Sequence, residues 1–168
     1  VYADRYDTIY YVSNALLPKR VAGIDYSETV PGNRSAVVWK NYHDFEELPQ
    51  QLNPAVGYLF NTNHSPFKAG ALADTLSAAA HPREMGFDLR DNNRSVRFRE
   101  LMPEQEKITW EQFNQIKFDQ TLPKDLAFRT NLQSLFTLNP EAYPDLRAQI
   151  NTLATWNKEA DINSEGAA

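Results

Sequence analysis

Apolar positions cluster differently in the two halves of the chain, and each half predicts its own kind of element. Thr8-Ile9-Tyr10-Tyr11-Val12 is an almost unbroken run of β-branched and aromatic residues, which predicts a strand covered on both faces. Val1-Tyr2-Ala3 reads as its hairpin partner, and Asp4-Arg5-Tyr6-Asp7 as the turn, because an Asp side chain bonds backbone groups that follow it. Residues 16–54 carry Pro18, Pro31, Pro49 and Pro54 with Gly23 and Gly32 and no period, so they are expected to be irregular and pinned by Trp39, Tyr42 and Phe45. Gly57 to Asn61 reads as another short strand, followed by a polar turn, Asn61 to Ser65, that Pro66 stops.

Beyond that turn the period becomes helical. A helix is expected to open at Asn93-Arg94 and run to about Met102. A second is announced by Thr109 with Gln112 three residues on, a reciprocal capping pair. Trp110, Phe113 and Ile116 then share one face, and Trp110 and Trp156 read as core. A shorter helix is expected from Lys124 to about Phe136. A last one begins near Pro144, with Leu146, Ile150, Leu153 and Trp156 as its inward stripe. Ser164 to Ala168 reads as the opening of a further helix. The fold class is α+β: β-hairpin and loops first, helices second. The chain is read as one piece, with sheet and polar turn over 1–66 and mainly helix over 67–168.

Composition narrows the chemistry. The 168 residues carry 17 Lys and Arg against 22 Asp and Glu, a net charge of −5. No basic stripe is present, which argues against a nucleic-acid partner, and no apolar run is long enough for a membrane span. There is no cysteine, which removes thiolate nucleophiles, thiolate metal sites and disulfides. His43, His64 and His81 lie far apart without ligand spacing, and the adjacent pair His64-Ser65 is not a triad signal.

Amide chemistry asks for donors aimed at a developing oxyanion. A neutral Asn amide on a rigid turn is such a donor, and Asn63 stands on one. The same Asn-x-Asn-x-Ser-Pro pattern also fits a turn residue that only bonds its own backbone. Arg94, Arg97 and Arg99 form a cationic series on one helix that reads equally as a solvated face. Asn33, Asn63 and Asn93 each precede x-Ser, a short and common glycan-acceptor pattern.

Taken together, Tyr2-Ala3-Asp4, Leu17-Pro18-Lys19-Arg20, Pro31-Gly32, Trp39 and the run Asn53-Pro54-Ala55-Val56-Gly57-Tyr58-Leu59-Phe60-Asn61-Thr62-Asn63-His64-Ser65-Pro66 resemble an interior stretch of the catalytic β-chain of the penicillin acylase family. Arg94 through Leu101-Met102 to Ile108-Thr109 extends the resemblance without a gap. The resemblance implies an αββα N-terminal-nucleophile hydrolase that cuts its own precursor to expose a Ser, which lies upstream of this stretch. It implies that Asn63 is the oxyanion-hole side chain, with Asn61 structural. It implies that Arg94 holds Asn63 and the α-amine of the nucleophile. No cofactor is required. Some family members bind a structural Ca²⁺, and Asp74 falls on one ligand, with a carbonyl near Tyr26; the plain alternative for Asp74 is an exposed loop residue.

The implied partners are the remainder of the β-chain and the α-chain of the same precursor, and the implied location is periplasmic or secreted. The substrate expected is an amide joining an apolar acyl group to an amine. Phe60-Asn61-Thr62-Asn63 with Asn92-Asn93-Arg94-Ser95 looks closer to acylases of lipopeptides or acyl-homoserine lactones. Alone, this stretch is expected to be inactive and, with uncovered apolar stripes, to self-associate. Two alternatives stand beside that reading: a binding module built on Trp39, Tyr42 and Phe45, and a family member that has lost its nucleophile.

Overall fold

The computed structural model describes residues 1–102, 107–127 and 132–167. It divides into two compact units, Val1–Arg90 and Asp91–Ala168.

The first unit is built on a three-stranded antiparallel sheet in the order β1 (Tyr2–Ala3), β2 (Ile9–Val12), β3 (Gln50–Leu52). The hairpin forms as expected. Asp4 Oδ1 accepts the N–H groups of Tyr6 at 2.8 Å and Thr8 at 3.1 Å, and the strands pair Tyr2 with Tyr10 and Ala3 with Ile9. Tyr11 is buried at 3% exposure, but its strand neighbours are only half-buried, so the run is central in the sheet without being covered on both faces.

The second neighbour of β2 differs from the expectation. Gly57 to Asn61 pairs in no strand; the partner is Gln50–Leu52, with Tyr11 opposite Gln51. Two glutamines conceal this strand because their polarity opposes the β pattern. Their amides bond backbone instead: Gln50 Nε2 donates to the Phe45 carbonyl at 2.7 Å and Gln51 Nε2 to the Asp74 carbonyl at 2.7 Å. Asn53 ends the strand in the left-handed region, φ 44°. Its N–H donates to the Ile9 carbonyl at 2.9 Å, and its Oδ1 accepts the Ile9 N–H at 2.8 Å. The side chain thus replaces the next rung of the ladder. A turn closed by Gly57 N–H on the Pro54 carbonyl, with Gly57 at φ +77°, then redirects the chain toward Phe60.

Beneath lies an apolar core of Tyr11, Leu48, Phe60, Phe67, Ala69, Ala71 and Met85. Phe67 meets Phe87 edge-on at 5.7 Å. Helix does not begin directly after the polar turn: 67–92 holds only short 3-10 turns, and the first α-helix starts at Asn93.

The second unit holds α1 (Asn93–Leu101), α2 (Trp110–Lys117) and α3 (Arg147–Thr155). The Thr109–Gln112 pair forms reciprocally: Thr109 N–H donates to Gln112 Oε1 at 2.7 Å and Gln112 N–H to Thr109 Oγ1 at 3.2 Å. The apolar face that it opens is not core, however. Trp110 is 70% exposed and Phe113 43%, and the two rings stack on each other at 5.7 Å.

The helix expected over 124–136 is replaced, among the described residues, by extended chain and a 3-10 turn at Gln133–Thr137; residues 128–131 lie outside the described residues. Just before this segment, Leu122 N–H donates to the Lys158 carbonyl at 2.8 Å and Ala160 N–H to the Gln120 carbonyl at 2.9 Å. The chain thus enters it from a strand-like bridge between Thr121 and Glu159.

In α3, Ile150 is buried while Leu146 is exposed, so the expected stripe is inward only in part. Trp156 ends the helix. Its Nε1 donates to Ser164 Oγ at 2.9 Å, and a Cβ on Gly166 would fall 2.3 Å from its Cγ. The tail therefore forms a 3-10 turn, Glu165–Ala167, against that ring. No helix among the described residues is long and apolar enough to cross a membrane.

Candidate active site

Asn63 stands at the tip of a turn whose base is buried. Phe60 on one side and Ser65, Pro66 and Phe67 on the other are inside the first unit, while Asn63 is exposed. The base is an extended segment tied by Phe60 N–H to the Ala69 carbonyl at 2.8 Å, and by Ser65 N–H to the Arg90 carbonyl at 3.2 Å. Ser65 Oγ is buried without a hydrogen-bond partner among the described residues. Asn63 has φ 61°, a left-handed conformation that Asn tolerates better than most residues. Its own N–H donates to Asn61 Oδ1 at 2.7 Å. Asn61 therefore makes the backbone-bonding Asx turn, the structural role expected of it.

His64 is fixed on three sides. Its ring stacks on Phe60 at 4.6 Å with 19° between planes. Nδ1 lies 3.3 Å from the Thr62 N and 3.1 Å from Thr62 Oγ1, and Nε2 lies 2.7 Å from the Lys68 carbonyl. The Thr62 N–H only donates and a carbonyl only accepts, so the ring is neutral with its proton on Nε2. With both nitrogens engaged in the turn and Ser65 Oγ buried, His64-Ser65 has no means to act as base and nucleophile.

Arg94 is the second residue of α1 and is exposed. It belongs to the second unit and Asn63 to the first. The start of its helix is a buried polar network. Asn92 Oδ1 accepts the Ser95 N–H at 2.9 Å, and Ser95 Oγ accepts the Asn92 N–H at 3.1 Å. The Ser95 hydroxyl, completely buried, also donates toward Asp91 Oδ1 at 2.9 Å, which takes Arg99 Nη2 at 2.6 Å.

Arg97 pairs with Asp119 through two bonds, Nε to Oδ2 at 2.8 Å and Nη2 to Oδ1 at 3.0 Å. That fork holds the Asp119 carboxyl below its ordinary range and raises the guanidinium's affinity for its proton. Arg97 and Arg99 are thus half-buried structural cations, and of the three only Arg94 sits on an exposed face. Asn93 is also structural, its Oδ1 accepting the Ala127 N–H at 2.6 Å. The sequence marked Asn63 and Arg94 but missed His64, Asn92 and Ser95, which shape the two supports. Ser at the third helical position after Asn92 was the available signal.

Asp74 is half-buried. Its Oδ2 accepts the Val56 N–H at 2.9 Å. Among the described residues no three His, Cys, Asp or Glu gather where a metal could bind. A calcium ion takes six or more oxygens, so the residues of this stretch do not by themselves fit one. Tyr26 turns its ring toward Trp39 at 5.9 Å and its hydroxyl to the Val37 carbonyl at 3.2 Å. Trp39, Tyr42 and Phe45 are each about half exposed. The nearby cleft of about 430 Å³ is lined instead by residues that include Arg20, Tyr26, Arg83 and Gly86.

A rigid, neutral amide at an exposed tip can hydrogen-bond an oxygen that gains charge. The family model described as penicillin amidase matches residues 1–168. Penicillin G acylase of Escherichia coli is 29% identical over 167 residues, which is 98% of this chain and 18% of that protein. The chain thus spans about a fifth of the length of the curated relative it matches. On the match over its whole length, this chain belongs to the penicillin amidase family, a family of amide hydrolases.

Proposed function

We propose that this chain supplies the oxyanion-stabilising side chain of an N-terminal-nucleophile acylase, and that Asn63 is that side chain. The observation that carries the reading is the turn itself: a left-handed Asn, exposed at the tip, on a base fixed by buried Phe60 and Phe67. In this reading the hydroxyl of an N-terminal Ser, outside this chain, attacks the amide carbonyl while its own α-amine takes the proton. The carbonyl oxygen becomes an anion, and the Asn63 N–H₂ donates to it. Collapse expels the amine, which takes the proton, and leaves an acyl-enzyme. Water then repeats the sequence and releases the acid. The family resemblance gives Arg94 the role of orienting Asn63 and the nucleophile's amine, a role that suits a planar guanidinium, which can hold an amide carbonyl and leave its N–H₂ toward substrate.

The substrate is an amide of an apolar acyl group, such as an acyl-homoserine lactone, a lipopeptide or a penicillin-type side chain. The whole enzyme is an αββα hydrolase, self-processed, assembled from the α-chain and the rest of the β-chain, and periplasmic or secreted. The stretch alone is inactive.

Expression of the complete gene tests this first. Two chains by intact mass, the heavier beginning with Ser, are expected, followed by turnover of acyl amides. Asn63→Ala should then lower kcat by about 10²–10³. An uncut single chain, or unchanged kcat in Asn63→Ala, overturns the reading. The half-exposed Trp39, Tyr42 and Phe45 favour a second reading, a binding module, which an uncut chain would bring forward.

A further inference from the structure

Resting on that reading, we propose that His64 is a positioning residue for the oxyanion donor, acting through its hydrogen bond to Thr62. The residues flanking Asn63 are joined to each other: the imidazole of His64 reaches back across Asn63 to take the Thr62 N–H at 3.3 Å and sits 3.1 Å from the Thr62 hydroxyl. The same ring reaches forward, Nε2–H donating to the Lys68 carbonyl at 2.7 Å, and lies flat on buried Phe60 at 4.6 Å. Asn61 Oδ1 holds the Asn63 N–H from the other side at 2.7 Å. The left-handed backbone at Asn63, φ 61°, is therefore fixed by two independent side chains, one on each flank.

This arrangement has a mechanistic consequence. The side-chain amide of Asn63 projects from a Cα whose orientation depends on that left-handed backbone. A donor displaced by about 1 Å loses much of its value to a transition state. His64 itself touches no reacting atom, because both its nitrogens are engaged inside the turn. Its neutral Nε2–H form follows from the partners: a carbonyl only accepts and a backbone N–H only donates. Phe60 supplies a flat seat that sets the ring's height, and Lys68 sets its rotation. The Thr62 contact is the one that reaches across Asn63, so it is the bond on which donor placement depends.

Three variants of the enzyme matured from its complete gene separate these contacts. His64→Leu removes the hydrogen bonds to Thr62 and to Lys68. His64→Asn places an amide oxygen near the position of Nδ1 and keeps the acceptor for Thr62. His64→Gln places an amide N–H near the position of Nε2 and keeps only the bond to Lys68. Steady-state kinetics on an acyl amide that the enzyme cleaves should show kcat lowered about 10- to 100-fold in His64→Leu and His64→Gln. KM should stay within about twofold, since uniform binding is unchanged, and His64→Asn should recover most of kcat.

Wild-type kcat in His64→Leu overturns the proposal, and so does a His64→Gln variant as active as His64→Asn. Should His64→Leu fail to fold, the Asn and Gln pair decides alone. Asn63→Ala is measured in parallel. A loss there with none in the His64 variants removes only the positioning role. No loss in Asn63→Ala removes the oxyanion reading and this inference with it.

Discussion

The two units support the elements that carry their key side chains by different means. In the first, Asn63 rides on a turn above a core of Tyr11, Leu48, Phe60, Phe67, Ala69, Ala71 and Met85. In the second, the buried apolar residues among those described are Ile150 and Pro123. There the Arg94 helix is fixed by Asn92, Ser95, Asp91 and Arg99 and by the Arg97–Asp119 fork. Burial of apolar area is non-directional and tolerates small shifts of a neighbour. A polar network is directional, and removing one member leaves its partners buried without that bond. The first support is therefore expected to fail by loss of volume, and the second by loss of a single atom.

The largest effect should come from the core. Phe67 is buried and meets the rings of Phe87 and His81, so Phe67→Ala should destabilise the first unit by about 3–5 kcal/mol. Hydrogen exchange would read this locally, as lost protection of the Phe60 N–H on the Ala69 carbonyl. If that amide stayed protected, the turn would be held by its polar bonds, and the contrast between the units would fall. Next is Ser95→Ala. It removes two hydrogen bonds at a fully buried site, leaving the Asn92 N–H and Asp91 Oδ1 without the hydroxyl. The expected cost is about 1–2 kcal/mol, seen as faster exchange in the first turn of α1. A neutral outcome would mean that the network is not what holds the helix start.

How much of this was legible beforehand follows the same division. Elements whose cause is local were read correctly: the Asp4 turn, the Thr109 cap and the start of α1 each depend on residues within four positions. Failures came where the cause is distant. β3 is made by two glutamines whose amides find backbone at Phe45 and Asp74, which no local period shows. Trp110 and Phe113 carry a correct helical period, but a period says only which residues share a face. It does not say whether anything in this stretch covers that face.

Asn63 could be singled out because chemistry and turn pattern coincide there. His64 could not, because its role depends on the ring folding back over Thr62. The pair Asn92 and Ser95 was within reach, since a side chain at the third helical position commonly answers the cap.

Third in size is Asp119→Asn, which breaks one half of the fork with Arg97. For a partly exposed pair the cost should be about 1 kcal/mol. The carboxyl is held below its ordinary range, first by Arg97, so its contribution is present above the ordinary carboxylate range and fades as pH falls through its folded value. The variant should therefore lose its deficit in acid. A deficit independent of pH would mean that the side chain acts by shape rather than charge.

The smallest effect tests the contrast from the first unit's side, where one surface corner uses the polar method. Glu47 accepts the Asp44 N–H at 2.8 Å and lies 3.1 Å from Lys19 Nζ and 3.2 Å from His43 Nδ1. The Asp44 backbone bond, then Lys19, lowers its carboxyl from 4.5 to about 2. A depressed carboxyl stabilises the fold above its unfolded value and loses that contribution as pH falls through the folded one. The window is thus from about 4.5 down to about 2. Glu47→Gln keeps an acceptor for the Asp44 N–H but loses the charge, so wild type and variant should differ slightly at neutral pH and converge below that window. Carboxyl chemical shifts followed in acid would show Glu47 titrating near 2. Titration near 4.5 would mean that the corner is solvated and adds nothing to the first unit's core, which would sharpen the contrast between the two units rather than blur it.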